Sequence, residues 1–379
     1  MRPMPDLSWP DVVAWRARRH RLHERAPADA MLQTADELCG VQAQVMSSAE
    51  LTLHARVGDL ADDTVANALW RDRALVKTWA MRGTLHLLPA SDYALWQSAL
   101  STQYARFTKP AWSKASGLQP DELERLIEAI GEALDGDPLT RDELAETVAT
   151  QTGQPALGEK LRHSWGSLLK PAAVRGVLCF APSDGQRVRF TRPDRWLGPQ
   201  PQLDPAEAEL EVARRFLTTH GPATRESFGR WWGIQPAPAG RILGRLQDEI
   251  SQVGVDGEPM WMLAADAAAV AGDVEPVRSV RLLPGFDQYV ITANLHAARF
   301  MPAGDHRPLV YRQQGWISAV LVVDGRIEGV WRFERKGKRI EIEIEPFGSS
   351  PAKRVKAAAE AEAERVAEWL RGALAVRWT

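Results

Sequence analysis

Pro138-Leu139-Thr140-Arg141-Asp142-Glu143-Leu144 reads as the opening of a capped helix, and 84 residues later Pro222-Ala223-Thr224-Arg225-Glu226-Ser227-Phe228 echoes it. Thr140 is a good N-cap residue, and Glu143, three positions on, completes the capping-box pattern. Around the first copy, residues 121–134 carry Leu123, Leu126, Ile127 and Ile130 on one helical face, and residues 161–173 supply a third helix. Gly176-Val177-Leu178-Cys179-Phe180 then folds back on Arg187-Val188-Arg189-Phe190 across Ser183-Asp184-Gly185. Around the second copy, a helix over 206–217 precedes and another over 239–250 follows. Val253-Gly254-Val255 there pairs with Met260-Trp261-Met262-Leu263 across Asp256-Gly257. A helix, a capped helix, a helix and a hairpin, occurring twice, predict tandem winged helices.

Toward the N-terminus the same order is expected once more. Residues 11–22 predict a helix with Val12, Val13, Trp15 and Leu22 inward and Arg16, Arg18, Arg19 and Arg21 around it; this basic run is either a solvated face or, beside a DNA channel, a phosphate contact. Residues 29–39 carry a stripe of Met31, Leu32, Ala35 and Leu38 that Gly40 stops, and Ser47 and Ser48 are good N-caps for a helix with Leu51, Leu53 and Val57. A helix over 63–71 follows, then a hairpin over 75–88 broken at Arg82-Gly83 and closed by Pro89. Residues 91–107 read as helical and 109–119 as a connecting loop.

Toward the C-terminus the texture changes after an Ala-rich link at 264–272. Residues 277–283, 316–323, 326–334 and 338–345 alternate with period two, with turns at Asp324-Gly325 and Lys336-Gly337, and residues 352–374 form a closing helix. The expected fold is α+β: tandem winged-helix (helix-turn-helix) domains followed by a C-terminal β-rich, barrel-like domain. The expected segments are 1–115, 116–200, 201–270 and 271–379.

The 379 residues are ordinary in composition, 45% apolar and 25% charged, and no segment approaches the roughly 20 apolar residues that span a bilayer. Met1-Arg2-Pro3-Met4-Pro5 carries no apolar secretory core, so a cytoplasmic location is expected. Cys39 and Cys179 lie outside any ligand spacing and read as small buried apolar residues, and the eight histidines show no metal-ligand pattern, so neither metal nor cofactor is expected. The net charge of −2 argues against a generally polycationic nucleic-acid binder. Only nine of the 47 cations are lysine. That bias reflects a GC-rich genome or suits phosphate contact, and a neutral total can hide a basic channel. No Gly-rich phosphate loop, nucleophile elbow or H-E-x-x-H motif is present.

The connector Val41-Gln42-Ala43-Gln44-Val45 is the stretch with chemical promise. Residues two apart on a helix point about 200° around the axis, whereas in an extended segment they share a face, so an extended connector brings both carboxamides to one spot. Carboxamides orient water or a polar ligand without titrating, but glutamine is also an ordinary surface residue. Among the cations, Arg82 and His86 lie at and just beyond a hairpin tip, where they meet a DNA groove or solvent. Arg335, Lys336, Lys338 and Arg339 form the densest cluster, in a hairpin turn, and read either as phosphate contacts or as a solvated edge. Arg312, Gln313 and Gln314 read as a DNA probe or as plain loop. Asp287 reads as a structural cap or as orienting a catalytic partner, and Trp231-Trp232 as core.

The run Leu38-Cys39-Gly40-Val41-Gln42-Ala43-Gln44-Val45, followed by Leu51-Thr52-Leu53-His54-Ala55-Arg56 and Met81-Arg82-Gly83-Thr84-Leu85-His86-Leu87-Leu88-Pro89-Ala90, resembles the AlkZ-type winged-helix DNA glycosylases. Arg281-Leu282-Leu283-Pro284-Gly285-Phe286-Asp287-Gln288-Tyr289 carries the same likeness, which thus extends over most of the chain. In that family a glutamine, a hydrophobic residue and a second glutamine, or an aspartate in one branch, form the catalytic motif. Gln42 and Gln44 match it, and the second glutamine resembles the branch acting on bulky crosslinking adducts. The resemblance implies hydrolysis of the N-glycosidic bond of N7-alkylated guanine in double-stranded DNA, unhooking of interstrand crosslinks, and a part in DNA repair and resistance to genotoxic natural products. No lysine lies near the glutamines in sequence, Lys77 being the nearest, so a monofunctional enzyme is expected, and three winged helices in tandem with a β-domain suggest a monomeric clamp. Two readings compete with it: a non-enzymatic winged-helix transcriptional regulator, and a protein-binding module.

Overall fold

Thr140 accepts from the Glu143 amide at 3.3 Å while the Glu143 carboxylate accepts from the Thr140 amide at 2.7 Å, so the reciprocal cap is formed. The helix Arg141–Thr152 that follows ends at Gly153 in the left-handed region. Its counterpart Arg225–Trp232 is capped on one side only. Thr224 accepts from the Ser227 amide at 3.2 Å, and Ser227 stands where a glutamate reaches back. In both copies the residue before the cap is tied to the hairpin that follows: Leu139 pairs with Phe190, and Ala223 bridges Trp261.

The structure is a computed structural model that describes residues 6–164, 166–270, 274–348 and 350–379. The first five residues, examined above for a secretory core, and the end of the 264–272 link lie outside the described residues. The chain forms two compact units, Met1–Thr64 with Ala213–Thr379, and Val65–Val212. The expected segments 1–115 and 201–270 are thus each divided between units, while 116–200 falls within the second unit and 271–379 within the first.

In the unit Val65–Val212, strands Leu75–Trp79 and Leu85–Pro89 form the expected antiparallel hairpin, with Trp79 opposite Leu85. Helices Pro120–Ala133, Arg141–Thr152, Pro155–His163 and Leu169–Val174 stand with a small sheet of Leu139–Thr140, Arg187–Thr191 and Cys179–Asp184. Leu123, Leu126, Ile127 and Ile130 meet Leu144, Val148, Leu161, Phe180 and Phe190 in one core. Each such side chain contributes roughly 1.5–3 kcal/mol by leaving water. Two expectations fail here. Residues 109–119 are not a loop, since Pro110–Ser116 is a helix with proline at its first position and Gly117 closing it. The single helix over 161–173 is two pieces, ending at His163 and restarting at Leu169.

The other unit opens with the helix Trp9–Arg19, capped by Ser8 and Asp11. Trp231 and Trp232 are buried, as expected of core residues. Strands Ile250–Val255 and Glu258–Leu263 form the third hairpin, and Asp6–Leu7 adds to it in parallel. The Ala-rich link contains the helix Ala264–Ala269. The C-terminal sheet runs Val280–Leu283, Val320–Val323, Arg326–Lys336, Arg339–Pro346, Ala373–Trp378, antiparallel until the last pair, which is parallel. It is open: its first and last strands do not pair with each other, as closure into a barrel requires. The helix Lys353–Trp369 covers one face with Val355, Ala359, Ala363 and Val366 against Leu282, Ile340, Ile342 and Ile344. The expected helix over 352–374 ends early because Ala373–Trp378 is a strand.

Candidate active site

The helix Met31–Glu37 ends in a pair of backbone bonds: Gly40 N–H donates to Ala35 O at 2.9 Å and Cys39 N–H to Asp36 O at 2.7 Å. These bonds, with Cys39 at φ 57° and Gly40 at φ 86°, form the Schellman arrangement. The expected stop at Gly40 is thus realised one residue earlier, at Cys39. The chain leaves extended through Val41–Gln42, bends at Gln44 and Val45, and enters the helix Met46–His54. Ser47 and Ser48 lie inside its first turn instead of capping it, and Val45 at the cap position offers no side-chain bond. Extension therefore covers only part of the connector. Gln42 is 7% exposed, whereas Gln44 lies in solvent, so the two amides do not share one environment.

Two residues from the far end of the sequence hold this connector on both sides. Gln288 Nε2 donates to Gly40 O at 3.1 Å, immediately before the extended segment. Gln288 is fully buried and its Oε1 has no hydrogen-bond partner among the described residues. Asp287 caps the helix Gln288–Ala293 by accepting from the Tyr289 amide at 3.0 Å, so the cap reading holds. It also accepts from Arg56 Nη1 at 2.7 Å and Nη2 at 2.8 Å, with both side chains completely buried. Arg56, just past the helix Met46–His54, donates further to His20 O at 2.8 Å and Thr52 O at 3.0 Å, which occupies four of its five N–H groups. The one carboxylate in this set of contacts is therefore engaged through both oxygens by the guanidinium and the Tyr289 amide.

The same unit buries further polar groups. His20 Nε2 lies 3.1 Å from His220 Nδ1. Burial, then the charges of His220, Arg56 and Arg16, holds His20 well below the ordinary imidazole range. Arg16, expected among the outer cations, is 3% exposed and donates to Pro222 O at 2.6 Å; burial pulls its pKa to about 10. Arg18 pairs with Glu275, Arg19 with Asp266 and Arg21 with Glu37, so this run is engaged within the protein and is not an open phosphate contact. His54, at the end of the helix after the connector, is brought down to about 4 by burial first and then by Arg365 and Arg25.

The turn that carries Asp287 is tightly built. A Cβ on Gly285 would meet Ile317 O at 2.8 Å and approach Ser48 Oγ at 3.9 Å, so only glycine fits. Phe286, at φ 62°, meets Trp316 edge to face with ring centroids 4.9 Å apart.

The sequence-predicted DNA contacts fare unequally. Arg82 is half-buried at the hairpin turn, at φ 58°. His86 is not a groove-facing side chain: it is completely buried, Nδ1 lies 3.0 Å from Thr84 O, and burial, aided by the Arg82 charge, pushes it down to about 3. Arg335, Lys336, Lys338 and Arg339 are exposed, but the cluster is not purely cationic. Lys336 pairs with Glu341 at 2.6 Å and Glu334 at 3.6 Å, Arg339 approaches Glu341 at 3.7 Å, and Arg335 donates to Leu370 O. The adjoining groove is lined by Arg332, Lys336, Arg339 and Arg377 against Glu334, Glu341 and Glu343. Arg312, Gln313 and Gln314 are exposed beside Trp316.

Two cations were missed. Arg106 Nη2 and Lys170 Nζ come within 3.6 and 3.9 Å of the point where a Cβ on Gly83 would sit, and no carboxylate pairs with either among the described residues. Burial, then Arg106, lowers the Lys170 pKa. Nothing in local sequence signals this pairing, because the three residues come from separate elements. No group of three or more His, Cys, Asp or Glu side chains gathers as for a metal among the described residues, where no helix is long and apolar enough to cross a membrane. Cys39 and Cys179 are both buried, and Cys39 Sγ lies 3.4 Å from Thr219 Oγ1.

A family model described as DNA glycosylase AlkZ-like matches residues 35–369. The chain is 38% identical over 365 residues to an interstrand DNA cross-link repair glycosylase of Streptomyces sahachiroi, covering 95% of this chain and 96% of that one. The fold is similar to the solved structure of Streptomyces sahachiroi DNA glycosylase AlkZ, with a TM-score of 0.86 and 36% identity over 99% of this chain and 100% of that one.

Proposed function

The chain belongs to the AlkZ-like DNA glycosylase family and is a hydrolase of N-glycosyl bonds, and on that premise we propose that it excises N7-alkylated guanine from duplex DNA and unhooks interstrand crosslinks built on that atom. The observation that carries this reading is the double anchorage of the Gln42–Gln44 connector, through Gln288 on Gly40 and Asp287 on Arg56. Such fixation serves a positioning catalyst; a free surface loop has no use for it.

Most enzymes that cut glycosidic bonds employ two carboxylates. A guanine alkylated at N7 is already cationic, so the C1′–N9 bond breaks with its electron pair moving to the base and no acid is required. Water then adds to C1′ and releases its proton to solvent. Gln42 and Gln44 orient that water and turn carbonyl dipoles toward the cation developing on the sugar. Burial fixes Gln42, while the exposed Gln44 is the member a duplex reaches. A crosslinked base cannot be swung into a closed pocket, and an exposed glutamine suits attack on a base left where it lies.

In this reading Arg335, Lys336, Lys338 and Arg339 contact phosphate, with Lys336 exchanging Glu341 for the backbone, and Arg82 does the same from its own hairpin beside Arg106 and Lys170. His86 buttresses that turn. We read 116–200 and 201–270 as winged helices, and the protein as a cytoplasmic monomer that acts on double-stranded DNA without a cofactor. The family assignment does not favour the regulator reading.

The test is release of N7-methylguanine and of a defined N7-guanine crosslink from duplex DNA, wild type beside the Gln42→Ala, Gln44→Ala double variant. Excision that is lost in the variant at unchanged DNA affinity is the expected result. No release by the wild type, despite tight and salt-sensitive binding, would overturn the reading. Borohydride trapping of a covalent adduct would defeat the monofunctional mechanism.

A further inference from the structure

Trp316 is 50% exposed, alone among the described tryptophans in standing so far into solvent. An indole left in water forgoes much of the burial that normally stabilises this residue. The turn beneath it is nevertheless rigidly built. Arg312 N–H donates to Trp316 O at 2.8 Å, Trp316 N–H to Gln313 O at 3.2 Å, Ser318 N–H to Val310 O at 2.9 Å and Ser318 Oγ to Leu309 O at 2.7 Å. Tyr311 and Ile317 bridge across the base of the turn, and the Tyr311 hydroxyl donates to Val290 O at 2.8 Å. The exposed ring is therefore presented on a fixed mount.

The turn lies beside the start of the helix that follows the connector. Trp316 meets Phe286 at 73° between ring planes, which leaves an indole face uncovered by that contact. Gly285, next to Phe286, is wedged between Ile317 O and Ser48 Oγ, four residues after Gln44, and Gln288 holds Gly40. Beside the ring, Arg312 is exposed and pairs with no carboxylate among the described residues. An uncovered aromatic face, an unpaired cation and two exposed amides at Gln313 and Gln314 match a nucleobase with its phosphate. An apolar protein partner would leave the cation and the amides unanswered.

We propose that Trp316 stacks against a base at the lesion step of the duplex and sets specificity for sites where the base stack is broken, with Arg312 on the adjacent phosphate. This rests on the glycosylase reading of the connector. The test measures binding by fluorescence anisotropy to two labelled duplexes, one intact and one carrying a tetrahydrofuran abasic-site analogue. Wild type, Trp316→Ala and Trp316→Phe are compared, with N7-methylguanine release followed in parallel.

Wild type is expected to prefer the abasic analogue by roughly 5- to 100-fold, the range that aromatic stacking on a base provides. Trp316→Ala loses that preference while its affinity for intact duplex and its thermal midpoint stay put, and Trp316→Phe keeps most of it. Full preference in Trp316→Ala, or none in wild type, overturns the proposal even if excision is robust. A preference that depends on Trp316 in a protein that excises nothing would support the stacking and sink the glycosylase reading, so the two failures are distinct.

Discussion

The turn at Pro284–Gln288 and the turn at Lys336-Gly337 lie in the same unit and both carry charge, yet they handle it in opposite ways. At the first, Asp287 and Arg56 pair with each other out of water, and every other side-chain bond given for them fixes a backbone position. At the second, Lys336, Arg339, Glu334 and Glu341 form a solvated ladder that can exchange partners. Buried charge here sets geometry, while exposed charge stays open to exchange with charges from solution. A catalyst that works by positioning needs the first kind beside its water and the second kind beside its substrate.

The largest effect should come from breaking the buried pair. Arg56→Met or Asp287→Leu alone strands a charge and is expected to lower stability by about 3–5 kcal/mol, read as a drop in the urea midpoint, while the double variant recovers much of the loss. Single variants no weaker than wild type would erase the distinction between the two turns. Next, Gln42→Ala should slow single-turnover excision by roughly 10²-fold, in the range of removing one preorganised polar group, with duplex affinity nearly unchanged. Equal losses in rate and affinity would assign Gln42 to binding.

Acid should likewise separate buried groups from exposed ones. His54 and His86 are held down to about 4 and about 3 by burial, against an ordinary value of 6.5. Their contribution is complete above pH 6.5 and is lost as pH falls toward those values, because the unfolded chain takes up the protons first. By pH 5 the loss from each amounts to about 2 kcal/mol, measurable as a falling unfolding midpoint. Glu341 and Glu343 are lowered from 4.5 by their bonds to Lys336 and to Arg377, so the hairpin's pairings persist until pH falls below that value. A stability profile flat between pH 7 and pH 5 would contradict the burial of these histidines. The smallest effect belongs to the hairpin. Lys336→Gln should leave the unfolding midpoint unmoved and reduce the salt slope of DNA binding by about 1. Glu341→Gln should tighten DNA binding.

Legibility followed the range of the interactions. The Thr140 cap depends on a partner three residues away, and the hairpins on turns of a few residues, so both could be read from local pattern. The helix Pro110–Ser116 carries its own signals, a leading proline and a trailing glycine, within a stretch whose apolar residues are too few to mark a helical face. The strand Ala373–Trp378 was hidden because its alternation begins where a helical pattern fades and its partner lies in parallel. At the site, the Gln-x-Gln motif was visible only through its resemblance. The burial of Arg16 and His86 and the grip of Gln288 on Gly40 depend on contacts across the fold, which no window of sequence contains.

Gln288 and Gly40 are separated by 248 positions in the chain. A ribosome adding roughly 5–20 residues per second needs about 12–50 s to travel that far. During that interval the Gln42 connector exists without its clasp, while Val65–Val212 has been made in full and is free to fold. The clasped connector is thus a late feature to mature on the nascent chain, and a message cut short before Gln288 yields a polypeptide that carries both glutamines without the clasp on Gly40.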